Sequence, residues 1–276
     1  MPLFVFVSGY FASGDKGKTV RGVARIFETY AVFQLIRLCL SGDWSIANVM
    51  TPQWTLWYLL SLCYWRLAVL LLPSELSAKS KGGWLLLAVL MSFVMGFVPL
   101  ETEFSFQRTF GFFPFFLAGY FSKGTDAVAR IRRISHLATG AVVAAFVEGL
   151  YVSGRPLYQL WMFQSLAGGG LSAMAWKAIT LCVCVVMSVC ILNLVPAFGG
   201  RVARYGRHTL LFYMLHTFMI EALASAGLPA GFFPSLAYAA LVTATLVLVA
   251  KVKGVEKWLT PVTAAAEMFR RRKKTA

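Results

Sequence analysis

The sequence predicts an all-α fold, a polytopic transmembrane helical bundle of about nine spans. Three observations predict it. Hydrophobic residues make up 59% of the 276 and charged residues 13%, with a mean hydropathy of +0.71, whereas soluble domains hold about 25% charged residues. Apolar runs long enough for a bilayer recur along the chain with no long polar insert, so residues 1–255 form one membrane domain and 256–276 a basic tail. The basic residues concentrate in alternate loops, which is the signature of a multi-pass protein with its positive loops in the cytoplasm.

The elements follow in order. Residues 2–11 are apolar but half a membrane long, with neither the basic start nor the small-residue cleavage site of a signal peptide. Full spans are expected at about 26–41, 53–72, 83–99, 104–121, 134–152, 178–197, 208–225 and 233–250. Placing the segment 12–25 in the cytoplasm puts Lys16, Lys18, Arg21 and Arg25 there. It also puts Lys79 and Lys81, the group Lys123, Arg130, Arg132 and Arg133, the group Arg201, Arg204 and Arg207, and the RRRKK tail on the same side. Asp43, Glu101 and Glu103 then fall in the opposite loops. A span over 159–175 would reverse the Arg201–Arg207 group, so 153–176 is expected as an outer loop that re-enters or lies on the membrane, bending at Gly168, Gly169 and Gly170.

Function classes narrow with the same observations. The net charge of +15 is spread over short loops and forms no stripe for nucleic acid, so no nucleic-acid partner is expected. The terminal RRRKK sits beside a span and acts as a topology anchor drawn to anionic membrane lipid. Cys39, Cys63, Cys182, Cys184 and Cys190 all lie in apolar runs; Cys182 and Cys184 point about 200° apart on a helix, a poor metal pair, so no metal site is expected.

Charges inside apolar runs are the candidates for chemistry, because each costs several kcal/mol in lipid unless paired or wetted. Arg108 stands among phenylalanines in FSFQRTFGFFPFFLAGYF. It either snorkels to the interface beside Glu101 or Glu103, or lines a polar cavity and grips an anionic group. Pro114 breaks the same run. His216 lies mid-span in GRHTLLFYMLHTFMI, with Tyr213 three residues earlier on the same helix face. In PQWTLWYLLSLCYWRL, Trp54 and Trp57 suit an interfacial belt, and Arg66, like Arg37, either snorkels or serves the site.

Four blocks, MPLFVFVSGYF, QWTLWYLLSLCYWRL, FQRTFGFFPFFLAGYF and GRHTLLFYMLHTF, occur in the order seen in the membrane acyltransferase 3 family, and resemble most its fucose 4-O-acetylase-like branch. The resemblance covers nearly the whole chain. It implies about ten helices that move an acyl group, usually acetyl from cytoplasmic acetyl-CoA, onto a sugar hydroxyl of a surface glycan or lipid-linked precursor, in a bacterial inner membrane. Acetyl-CoA is then a donor substrate, with no resident cofactor. It further implies a helix ahead of the MPLF block bearing a basic residue and an essential histidine, so the chain corresponds to the family pattern less its first helix. By the same resemblance Ser8 and Gly9 match the family's serine-glycine, Trp57 its tryptophan block, Arg108 its membrane arginine, and His216 its late histidine. The expected roles are Arg108 and His216 in catalysis, and Ser8, Trp57 and Arg66 against the acceptor. Lys123, Arg130, Arg132 and Arg133 are expected against the CoA phosphates. A transporter or flippase of lipid-linked sugar, or a silent member that keeps the fold, are the other readings.

Overall fold

The computed structural model describes residues 1–52, 54–73, 75–98, 103–153, 170–196, 206, 209–226 and 231–252. Among these the regular structure is entirely helical. Its helices are α1 (Pro2–Tyr10), α2 (Lys16–Ser41), α3 (Ile46–Met50), α4 (Trp57–Val69), α5 (Ala78–Gly96), α6 (Phe106–Ser122), α7 (Ala127–Arg132), α8 (His136–Ser153), α9 (Gly170–Leu194), α10 (Thr209–Ser225) and α11 (Phe232–Ala250). Two of them, α5 and α9, are long and apolar enough to cross a membrane; shorter apolar stretches lie at His136–Gly149, Thr209–Leu223 and Pro234–Ala250. The chain forms two compact units, Met1–Arg21 with Ser61–Ala197, and Gly22–Leu60 with Phe198–Ala276.

Two expected boundaries move. Helix α2 begins at Lys16 rather than near 26, because its basic first turns continue the helix that the apolar count alone missed. Helix α9 begins at Gly170, so 170–176, expected in a loop, extend the following span to 25 residues. Gly170 itself has φ +54 and opens that helix. Gly168, Gly169, Arg155, the Arg201–Arg207 group and the RRRKK tail lie outside the described residues.

In the first unit α6 is the central helix, packed by α1 and by α5. Ten of its residues are buried, including Gln107, Thr109, Phe112, Phe115 and Phe116. The approach of α1 needs glycine on both sides: a methyl at Gly9 would strike the carbonyl oxygen of Phe116, and one at Gly119 that of Phe6. Backbone contact of this kind gives helices in lipid their dispersion energy where no hydrophobic drive acts between them. We expect Gly119→Ala to destabilise the protein by about 1–3 kcal/mol, visible as a lower melting midpoint in detergent; an unchanged midpoint would refute the contact. On the other flank Ala88 of α5 packs with Leu117 and Phe121 of α6, bordered by Trp84 and Tyr120.

The end of α9 is fixed by Asn193, which is 2% exposed. Its Nδ2 donates to the Ile131 and Ile134 carbonyls at 2.9 and 3.1 Å, while its Oδ1 accepts from Thr139 Oγ1 at 2.8 Å and His136 Nδ1 at 2.9 Å. All four capacities of the amide are used, and together they hold the turn from α7 to α8. Asn193→Ala strands those buried partners, so a loss of about 1–3 kcal/mol is expected. Faster proteolysis between α7 and α8 would report it, and wild-type resistance would contradict it.

In the second unit, Gln34 Nε2 of α2 donates to the Asn48 and Thr51 carbonyls at 3.1 and 3.0 Å, closing the turn that carries α3. Asp43 in that turn accepts from the Ser45 amide at 3.0 Å and from Asn48 Nδ2 at 2.6 Å. The Ser45 backbone bond chiefly holds its carboxyl below the ordinary carboxylate range. Arg37 of α2 pairs with Glu221 of α10, its Nη1 lying 2.8 Å from Oε1 and 2.6 Å from Oε2. The same guanidinium stands 4.5 Å from the Phe218 ring centroid, and Phe33 packs on that ring at 5.8 Å.

Candidate functional site

Each unit holds its own share of the candidate residues. In the second, α10 places Tyr213, His216 and Thr217 within one helical turn. Tyr213 Oη donates to the Thr55 carbonyl at 2.7 Å, and the Thr55 and Thr217 hydroxyls share a bond of 3.1 Å. These two bonds tie α10 to the short 3-10 turn Trp54–Leu56 that leads into α4. An aromatic chain follows: Trp57 meets Tyr58 edge-on at 6.0 Å, Tyr58 meets Tyr213 at 5.2 Å, and Tyr213 meets His216 at 5.8 Å. Trp57 and Tyr58 are buried and His216 half-buried.

The histidine's orientation decides its chemistry. His216 Nδ1 lies 3.1 Å from the Phe212 carbonyl one turn back. A carbonyl only accepts, so Nδ1 carries the proton and the neutral ring keeps its lone pair on Nε2. In that tautomer Nε2 is a hydrogen-bond acceptor.

In the first unit the start of α6 is pinned on both sides of Arg108. Gln107 Nε2 donates to the Val98 carbonyl at 2.8 Å; Thr109 shares a 2.7 Å bond with Ser61 Oγ and accepts Trp65 Nε1 on its carbonyl at 2.8 Å. Tyr64 stacks on Phe106 at 5.8 Å and Trp65 on Phe116 at 5.5 Å. Gln107 and Thr109 are 4% and 5% exposed, and Arg108 between them is half-buried. The chain enters this helix through two left-handed residues, Phe104 at φ 49 and Ser105 at φ 57, a conformation costing about 1–3 kcal/mol for each non-glycine residue. Arg66 follows Trp65 and Arg108 precedes Thr109, so both arginines flank the same contact between α4 and α6. Further along, Pro114 leaves the Phe110 carbonyl without its helical donor.

A family model for an acyltransferase domain matches residues 1–250. The chain belongs to the acyltransferase 3 family. No curated relative and no solved structure matches it. This family is membrane-associated, in keeping with the two helices of spanning length.

Within this acyltransferase 3 chain, Ser8, Arg66, Arg108, Lys123, Arg130, Arg132 and Arg133 belong to the first unit, and Trp57 and His216 to the second. Trp57 and His216 are linked through the two tyrosines. Ser8 lies on α1 beside the Gly9 contact, its Oγ donating to the Phe4 carbonyl at 3.0 Å. Lys123 Nζ donates to the Ala12 carbonyl at 3.1 Å, at the end of α1, so part of its bonding serves the fold. Arg130, Arg132 and Arg133 are exposed on and just after α7, the helix that Asn193 holds. The pairing of Arg108 with Glu101 or Glu103 concerns Glu101 and the Glu103 side chain, which lie outside the described residues. Sequence reasoning missed Thr55, Thr109 and Asn193. The signal available was a polar residue breaking an apolar run, the same signal that singled out His216.

Proposed function

We propose that the chain is a multi-pass O-acyltransferase that moves an acetyl group from acetyl-CoA to a sugar hydroxyl of a surface glycan or lipid-linked precursor, in the manner of the fucose 4-O-acetylase-like branch. The acyltransferase match over residues 1–250 carries this reading, and the fixed tautomer of His216 supports it. In the reaction the sugar oxygen bonds to the thioester carbonyl carbon as the hydroxyl proton passes to a general base, which by the family pattern is the essential histidine of the helix ahead of the MPLF block, with His216 in support. The carbon–sulfur bond then breaks, and the proton leaves with the CoA thiolate. Arg108 stabilises an anionic group, the developing oxyanion being the one that gains most. Trp57, Ser8 and Arg66 bear on the acceptor. The exposed Arg130, Arg132 and Arg133, with Lys123, draw the CoA phosphates toward the cytoplasmic face. About nine spans, a cytoplasmic C-terminus and a bacterial inner membrane complete the reading.

The experiment is to supply labelled acetyl-CoA to membranes holding the protein and to follow label on glycan. Transfer is expected, with His216→Ala slower than wild type by up to about 10²-fold. Glycan that stays unlabelled overturns the proposal. A second reading, transport of a lipid-linked sugar, is favoured by the Arg37–Glu221 pair between α2 and α10. It predicts movement of the sugar lipid between leaflets with no label transferred.

A further inference from the structure

Lys177 falls between the outer loop expected at 153–176 and the span expected from about 178. It lies instead inside α9, seven residues from Gly170, about 10 Å along the helix axis. It is 8% exposed. Its Nζ donates to the Ser92 carbonyl of α5, and the ammonium sits 5.5 Å from the Phe93 ring centroid. Both α5 and α9 are the helices of spanning length. A lysine there is expensive, and a single carbonyl with one aromatic face neutralises none of its charge. Among the described residues no carboxylate pairs with it, and the segment 154–169 just ahead of α9 contains no acidic residue.

A second, independent vacancy of bonding lies at the same spot. The Ser92 hydroxyl is 1% exposed in its residue and has no hydrogen-bond partner among the described residues. A buried hydroxyl left so costs about 1–3 kcal/mol. The amine has three N–H donors and spends one of them on the Ser92 carbonyl. One residue of α5 therefore offers an unused hydroxyl beside an ammonium with donors to spare. The ligand chemistry that satisfies both is a tetrahedral oxoanion: it supplies the missing charge, and several acceptor oxygens for compact donors of this type.

We propose that Lys177 and Ser92 form a phosphate-binding site within the membrane bundle, which takes the phosphate of a lipid. Two lipids offer that group, an anionic phospholipid and the polyprenyl phosphate that carries a lipid-linked sugar. The proposal rests on reading α5 and α9 as spans and not on acyl transfer, and its experiment reads binding without turnover, so the two can fail separately.

Purified protein in detergent is titrated with phosphatidylglycerol, with polyprenyl phosphate, and with neutral diacylglycerol, and followed by native mass spectrometry and by melting midpoint. A phosphate-bearing lipid is expected to remain bound and to raise the midpoint of the wild-type protein, while diacylglycerol does neither. Lys177→Met, which keeps the apolar stem, is expected to weaken that binding about tenfold or more; Lys177→Arg is expected to keep it, and Ser92→Ala to weaken it by less. Preference for polyprenyl phosphate identifies an acceptor-carrier site, and preference for phosphatidylglycerol a structural lipid. If neither phosphate lipid stabilises the wild type beyond diacylglycerol, the site does not exist. Equal retention by Lys177→Met and wild type overturns it as well. The wild-type titration decides the matter even if Lys177→Met does not fold.

Discussion

Arg108→Ala in membranes is expected to lower acetyl transfer to glycan by about 10²–10³-fold, the range found when one preorganised donor to a developing oxyanion is removed. The bonds that hold the start of α6 belong to the neighbours of Arg108. Gln107 and Thr109, its neighbours on α6, carry the bonds to Val98, Ser61 and Trp65 that hold the helix start, and alanine at 108 leaves all of them in place. A melting midpoint in detergent, measured beside the rate, separates a chemical loss from a structural one. Arg108→Lys preserves the charge but loses the planar fork, and an intermediate rate is expected. The division between kcat and KM identifies the role: a fall in kcat marks oxyanion stabilisation, and a rise in KM alone marks substrate anchoring. Wild-type transfer by Arg108→Ala would remove this residue from the machinery.

Glu221→Ala is expected to lower stability by about 2–3 kcal/mol, because it removes the carboxylate paired with the Arg37 guanidinium. The side chains are 14% and 28% exposed, so the effect should fall short of that of a fully buried pair. The diagnostic is the double variant. Arg37→Met with Glu221→Leu removes both charges and keeps apolar volume, and such replacements are often neutral. Melting midpoints in detergent should show Glu221→Ala well below wild type and the double variant close to it. A double variant as unstable as the single one would assign the loss to packing around Phe218 and Phe33 rather than to charge.

Much of the helical layout was legible because apolar length is read directly from composition. Eight expected spans each find a helix, and the unexpected pieces are short: α3 and α7 have five and six residues. One boundary moved where polar residues join an apolar helix without ending it, at Lys16–Arg25; the other, at Gly170–Trp176, moved because the sidedness of the Arg201–Arg207 group had assigned an apolar stretch to a loop. Hydropathy stops counting at the polar residues, while backbone hydrogen bonding does not. The count of spanning helices is less legible, since α6 and α10 are apolar but only 17 residues long.

The neighbourhood of the candidate residues was legible in part. His216 and Tyr213 stood out by spacing along one helix, and their rings meet at 5.8 Å with a 48° tilt. Their shared partner region, Thr55 and Thr217, was invisible because its bonds join positions 162 and 158 residues apart in sequence. Arg37 and Glu221 are separated by 184 positions, so nothing in the sequence paired them. Lys177 was misplaced for another reason: a loop boundary set by the sidedness of the Arg201–Arg207 group put it outside the helix that contains it.

Helices α1 and α6 touch main chain to main chain at Gly9 and Gly119, with no side chain between them to act as a bearing. A joint of that kind has no slip plane. Any tilt of the arginine helix during a working cycle must carry the amino-terminal helix along, so Ser8 and Arg108 are mounted on one lever.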